Sequence, residues 1–121
     1  IDFNSIAQKL WVNEKILKEI SSSGHEIGLH SHTHPYDMKN LTYEEQLEEY
    51  SKNKSFLTRI CGREPISVAY PLGSFNSDTL KVMKKLEIKI GFISSTNLVS
   101  KYKILDNKFL LLPRIDSYKI K

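Results

Sequence analysis

The 121-residue chain has a single cysteine, Cys61. No disulfide can close within it. Cys61 sits beside Gly62 at the end of an expected helix, far in sequence from any histidine, which fits a small half-buried residue better than a nucleophile. No run of eighteen apolar residues occurs, so no helical membrane span is expected. The start, Ile1-Asp2-Phe3-Asn4, has neither a basic nor an apolar leader region. The first residue is not Met, so processing or a lost leader stays open. Blocks of five or six like charges are also missing. Net charge is +4, and the lysines at 84, 85, 89, 101, 103 and 108 are scattered. That pattern describes a solvated surface better than a concentrated nucleic-acid patch. Beyond the Ser21–Ser23 triplet there is no low-complexity segment, and no internal repeat. What remains, 40% hydrophobic and 26% charged residues, suits one globular domain over residues 1–121.

Periodicity predicts a helix from about Val12 to Ser22, with Leu10, Ile16, Leu17 and Ile20 as its apolar positions and Gly24 as its left-handed stop. A short strand, Glu26 to His30, is expected next. Thr42 and Glu45 form a capping box that opens a long helix to about Ile60, with Tyr43, Leu47, Tyr50 and Leu57 facing the core. Ile66 to Tyr70 reads as a second strand and Pro71 to Asn76 as a tight loop. Ser77-Asp78 caps a third helix. Strands follow at Lys89 to Ile93 and Phe109 to Leu112. Alternating strands and helices imply an α/β fold with a parallel sheet or barrel.

The densest chemistry lies in Gly24–Pro35, which holds all four histidines of the chain. His30 ends the expected strand, where functional groups gather in parallel α/β folds. His34 follows four residues later. One helical turn there would put both rings on one side, able to share an ion. Imidazole suits zinc, and also cobalt, iron or nickel. From spacing alone, a metal pair and a solvated polar loop are both open. His25 falls in the turn before the strand, and His32 is expected to point away. Ser31 and Thr33 are natural loop-capping hydroxyls and could also support the rings.

The run Gly-His-Glu-Ile-Gly-Leu-His-Ser-His-Thr-His-Pro resembles the second motif of the polysaccharide deacetylase family (the NodB-homology domain, carbohydrate esterase family 4), matching it at every fixed position. Ala69-Tyr70-Pro71-Leu72-Gly73-Ser74-Phe75-Asn76 resembles the family's third motif. Gly91-Phe92 and Leu112-Pro113-Arg114-Ile115 resemble its later strands. The resemblance implies part of a distorted (β/α) barrel that removes N- or O-acetyl groups from carbohydrate. It implies a divalent metal, most simply zinc, held by an Asp-His-His triad whose histidines map onto His30 and His34. It further implies water activated at the metal, an Asp general base, and the Leu72 amide as oxyanion donor. Tyr70 and Pro71 would wall the substrate groove. The partner implied is an acetylated polysaccharide or oligosaccharide, met at the cell envelope or outside the cell. Chitin oligomers, peptidoglycan, poly-N-acetylglucosamine, xylan and capsule precursors all fit, and no oligomeric state follows.

The chain departs from the family pattern in three places. The opening Thr-Phe-Asp-Asp motif, source of the base and of the metal-binding Asp, would lie upstream of Ile1. The motif-three Arg falls at Ala69, which leaves Arg114 as a substitute or as a surface ion-pairing group. No histidine after His34 can serve as general acid. Four strands also fall short of a barrel that takes about 250 residues and eight strands. The expectation is therefore the central and C-terminal part of a longer deacetylase domain. The alternatives are a truncated, inactive product and a non-catalytic carbohydrate-binding or scaffold relative. A histidine loop that binds metal on its own is a further one.

Overall fold

The computed structural model describes residues 6, 10–94 and 107–114. Lys101, Lys103 and Ile115 lie outside the described residues. Helix α1 is Glu14–Ser22. It starts two residues later than the periodicity predicts because Asn13 is the cap, its Oδ1 accepting from the Ile16 amide at 3.0 Å. Leu10 therefore precedes the helix and stays exposed. The helix ends as expected. Gly24 has φ +93°, its amide donates to Ser21 O, and the His25 amide donates to Ile20 O.

Helix α2, Tyr43–Cys61, opens with the predicted capping box between Thr42 and Glu45 and stops at left-handed Gly62. Its buried face includes Tyr50, Leu57 and Ile60 as apolar residues, with Tyr43 and Leu47 at the margin. Gln46 is also fully buried, and its amide group bridges elements. Nε2 donates to Leu41 O at 2.9 Å, and Oε1 accepts from the Thr79 hydroxyl. Burial of a side-chain amide is tolerable because these partners satisfy it.

Strand β1 is Ser67–Ala69, helix α3 is Ser77–Lys85 and strand β2 is Ile90–Ile93. The cap of α3 is Asn76, not Ser77-Asp78. Asn76 Oδ1 accepts from the amides of Asp78 and Thr79, both at 3.0 Å, while Asn76 Nδ2 holds Lys39 O at 2.9 Å. One residue thus caps the helix and anchors the histidine loop. Strand β3 is only Leu112–Pro113, because Lys108–Leu110 forms a 3-10 turn in place of the expected strand start. Leu110 O accepts from the Tyr70 hydroxyl at 3.0 Å.

The sheet is parallel in the order β1-β2-β3, with Val68 opposite Gly91 and Phe92 opposite Leu112. The expected strand Glu26 to His30 contributes a single parallel bridge, Leu29 to Val68. Leu29 donates to Ser67 O at 2.8 Å and accepts from the Ala69 amide at 2.9 Å. Glu26 Oε1 accepts from the Ile66 amide at 2.9 Å, which ties the start of this segment to the start of β1. Gly91 allows the close approach of β2 to the chain beyond it. A Cβ there would run into Leu110 O and come within 2.7 Å of the Tyr70 hydroxyl. Leu29, Val68, Tyr70, Ile93, Leu110 and Leu111 pack with Tyr50, Leu57, Leu80, Val82 and Met83 in one core. Among the described residues no helix is long and apolar enough to cross a membrane.

Candidate metal and oxyanion site

Parallel pairing puts the C-terminal ends of all these segments on one edge of the sheet. His30 follows Leu29, Tyr70 follows β1, Ser94 follows β2 and Arg114 follows β3. Functional groups in parallel α/β folds collect on this edge.

His30 and His34 meet there, with ring centroids 5.0 Å apart and planes at 61°. No helical turn brings them together, contrary to the expectation. The chain instead bends through two left-handed residues, Ser31 at φ 63° and His34 at φ 55°. Ser31 is buried, and its Oγ accepts from the His34 amide at 3.0 Å. His30 Nδ1 lies 2.7 Å from Ala69 O. A carbonyl can only accept, so Nδ1 carries a proton, and in the neutral imidazole Nε2 then holds the lone pair. This is the orientation in which a histidine is presented to a metal, with the far nitrogen fixed by a carbonyl. Two neighbouring imidazoles are the donor type a divalent ion such as zinc takes, and this pair could supply two ligands. Among the described residues no group of three or more His, Cys, Asp or Glu side chains gathers in a way that could hold one.

His25 and His32 stay apart from the pair. His25 is exposed, and its carbonyl accepts from Arg63. His32 is exposed, and its amide donates to Glu49. Ser31 and Thr33 do not support the imidazoles directly. Ser31 holds the His34 amide, and the Thr33 hydroxyl donates to Glu49 Oε1 at 2.8 Å.

The residues that sequence reasoning missed are Glu49 and Asn53 of α2. Asn53 Oδ1 accepts from the His30 amide at 3.0 Å. Glu49 Oε2 accepts from the His32 amide at 3.0 Å and the Thr33 amide at 2.9 Å. Burial pushes the Glu49 carboxyl up, but the Thr33 amide and hydroxyl and the His32 amide outweigh it and hold it below the usual value. The only sequence signal was their spacing of four on a helix, which any solvated helix face also shows.

The Pro71–Gly73 turn lies across from the histidines. Leu72 has φ 52° and ψ 17°, and its side chain is 61% exposed. Gly73 and Ser74 amides bond back to Tyr70 O and Pro71 O. Among the described residues the Leu72 amide donates to no acceptor. Gly73 sits at φ +67°, which strains any L residue, and a Cβ there would meet the Ser94 hydroxyl. Tyr70 is 1% exposed and Pro71 is buried. Tyr70's ring packs on Phe75 at 5.1 Å. Both residues are packed into the core at the base of the turn. Arg114 is exposed at the end of β3. Three strand spacings separate it from the histidine segment, on the order of 14 Å along the sheet, so the described residues do not bring it to the pair.

The polysaccharide deacetylase family model matches residues 3–91, and the chain belongs to this family. Its fold is the mixed α/β fold of the CE4 deacetylases. The structure is similar to that of the Streptococcus pyogenes deacetylase PplD, solved in complex with acetate. The two superpose with a TM-score of 0.73 at 26% identity, covering 86% of this chain and 44% of that one. It is also similar to BA3943, a CE4 family pseudoenzyme from Bacillus anthracis, with a TM-score of 0.60 at 28% identity over 63% of this chain and 27% of that one. In sequence it is 29% identical to the poly-beta-1,6-N-acetyl-D-glucosamine N-deacetylase of Staphylococcus aureus over 92 residues, 67% of this chain and 31% of that protein. The chain spans between 23% and 34% of the length of the first curated relatives it matches.

Proposed function

We propose that this chain carries part of the site of a metal-dependent hydrolase that removes acetyl groups from N- or O-acetylated carbohydrate. One observation carries the reading: His30 and His34 converge at 5.0 Å, with His30 Nδ1 tied to Ala69 O so that Nε2 is free to ligate. A divalent ion held by these two rings and a further ligand, zinc by preference or else cobalt, iron or nickel, would supply Lewis-acid polarisation of the acetyl carbonyl and a water acidic enough to attack at neutral pH.

The chain's own contribution is orientation and charge stabilisation. Ala69 O fixes the His30 tautomer. The left-handed backbone at Leu72 leaves an amide without an acceptor among the described residues, suited to receive the developing oxyanion of an amide or ester under attack. The exposed Leu72 side chain would border the acetyl group. Tyr70 and Pro71 hold that turn from beneath. The general base and third ligand would be Asp residues of the kind the family resemblance implies.

The substrate class follows the relatives: an acetylated polysaccharide or oligosaccharide at the cell envelope or outside the cell. A second reading is a non-catalytic family member that binds or scaffolds carbohydrate. It is favoured by the likeness to a pseudoenzyme. Metal content and acetate release from N-acetylglucosamine oligomers, measured on the full-length protein, separate the two. Metal-dependent acetate release is expected. Bound sugar with no acetate release at any metal loading would establish the second reading.

A further inference from the structure

Helix α2 is fastened to the histidine loop at two points one turn apart. Asn53 Oδ1 accepts the His30 amide at 3.0 Å. Glu49 accepts the His32 amide at 3.0 Å, the Thr33 amide at 2.9 Å and the Thr33 hydroxyl at 2.8 Å. With Ser31 Oγ on the His34 amide, the amides of residues 30, 32, 33 and 34 each have a side-chain acceptor. The loop needs this. Ser31 and His34 sit at φ 63° and 55°, where L residues are disfavoured and persist only when their surroundings over-determine them. A loop without these anchors would relax to commoner dihedrals, and the rings would part. The capping of α2 itself is done by Thr42 and Glu45, so Glu49 and Asn53 are not needed to start that helix.

We propose that Glu49 and Asn53 are positioning residues that set the separation of the His30 and His34 rings, and thereby the affinity of the pair for a divalent cation. This rests on the reading of those histidines as metal ligands. Neither residue touches the ion. Each acts by holding backbone, and Glu49 by one carboxylate spread over three donors. Glutamine at 49 keeps a carbonyl oxygen for the two amides, and its NH2 group can donate to the Thr33 hydroxyl. Alanine removes all three bonds.

The test compares wild type, E49A, E49Q and N53A on the full-length protein. Zinc affinity is read by competition with a chelating dye, and ring-to-ring NOEs between His30 and His34 are read without metal. Circular dichroism tracks the fold. E49A is expected to lose about 10- to 100-fold in zinc affinity, the usual cost of removing an outer support, and to lose the NOEs while its helix signal stays. N53A should lose less, and E49Q should recover most of the affinity. Folded E49A with wild-type affinity and unchanged NOEs would overturn the proposal. If E49A fails to fold, N53A and T33V, which each remove one anchor, decide in the same way: weakened NOEs support the proposal and unchanged NOEs overturn it. If H30A leaves zinc affinity untouched, the metal reading fails separately, and the NOEs alone judge the positioning role.

Discussion

The carbonyl of Ala69 lies 2.7 Å from His30 Nδ1. That contact joins the end of β1 to the end of the Leu29 segment across the sheet. It decides which imidazole nitrogen faces outward, and so what the site can bind.

The exposed Leu72 pays a conformational penalty at φ 52°, and its function is assigned to its amide. Leu72→Gly should therefore be neutral or up to ~1 kcal/mol more stable, since left-handed backbone costs an L residue roughly 1–2 kcal/mol and glycine's extra chain entropy offsets part of the gain. Acetate release should persist in Leu72→Gly and fall about 100-fold or more when the residue-72 amide is replaced by an ester through the α-hydroxy analogue of leucine, which removes the N–H and leaves φ free to stay at 52°. Urea melts and acetate assays on the same preparations check both. Activity retained in the ester variant would remove the oxyanion role.

Two buried tyrosines differ in one respect. The Tyr70 hydroxyl donates to Leu110 O, whereas the Tyr50 hydroxyl has no partner among the described residues. Burial drives both hydroxyls well above the usual phenol range. Tyr70→Phe should cost about 1–2 kcal/mol by orphaning a carbonyl. Tyr50→Phe should be neutral or stabilising, because it removes an unpaired buried group. Equal losses in denaturant melts would show that Tyr50 has a partner after all.

The Glu49 carboxyl is held below its ordinary value near 4.5. A depressed carboxyl stabilises the fold above the unfolded value and loses that contribution as pH falls through the lower, folded one. Wild type should thus lose stability as pH drops below about 4.5, and Glu49→Gln should lose less over the same window. Thermal melts between pH 3 and pH 7 (a range set by the ordinary carboxylate values) measure this. Parallel curves for the two proteins would contradict it.

Local signals in the sequence were reliable. Thr42 with Glu45 and Gly24 after Ser23 each depend on neighbours within a few residues, and each forms as the residues imply. The histidine pair was legible as a pattern, but its geometry was not. Spacing of four suggested a helical turn, whereas the bend comes from left-handed Ser31 and His34, stabilised by Glu49 and Asn53 from a different element. Contacts between residues 16 to 23 apart leave no periodic trace. The same reason hides the second role of Asn76, whose side chain also binds Lys39 O, 37 residues away. It explains Gln46 too, whose burial depends on Thr79. Phe109 to Leu112 looked like a strand, but β3 is confined to Leu112–Pro113, and Leu110 O is taken by Tyr70.

The most direct test is zinc stoichiometry by isothermal titration, comparing wild type with the double variant His30→Ala, His34→Ala in the full-length protein. One zinc per chain in the wild type and none in the variant is the predicted result. Unchanged binding in the variant would contradict the account and shift the metal to His25 and His32.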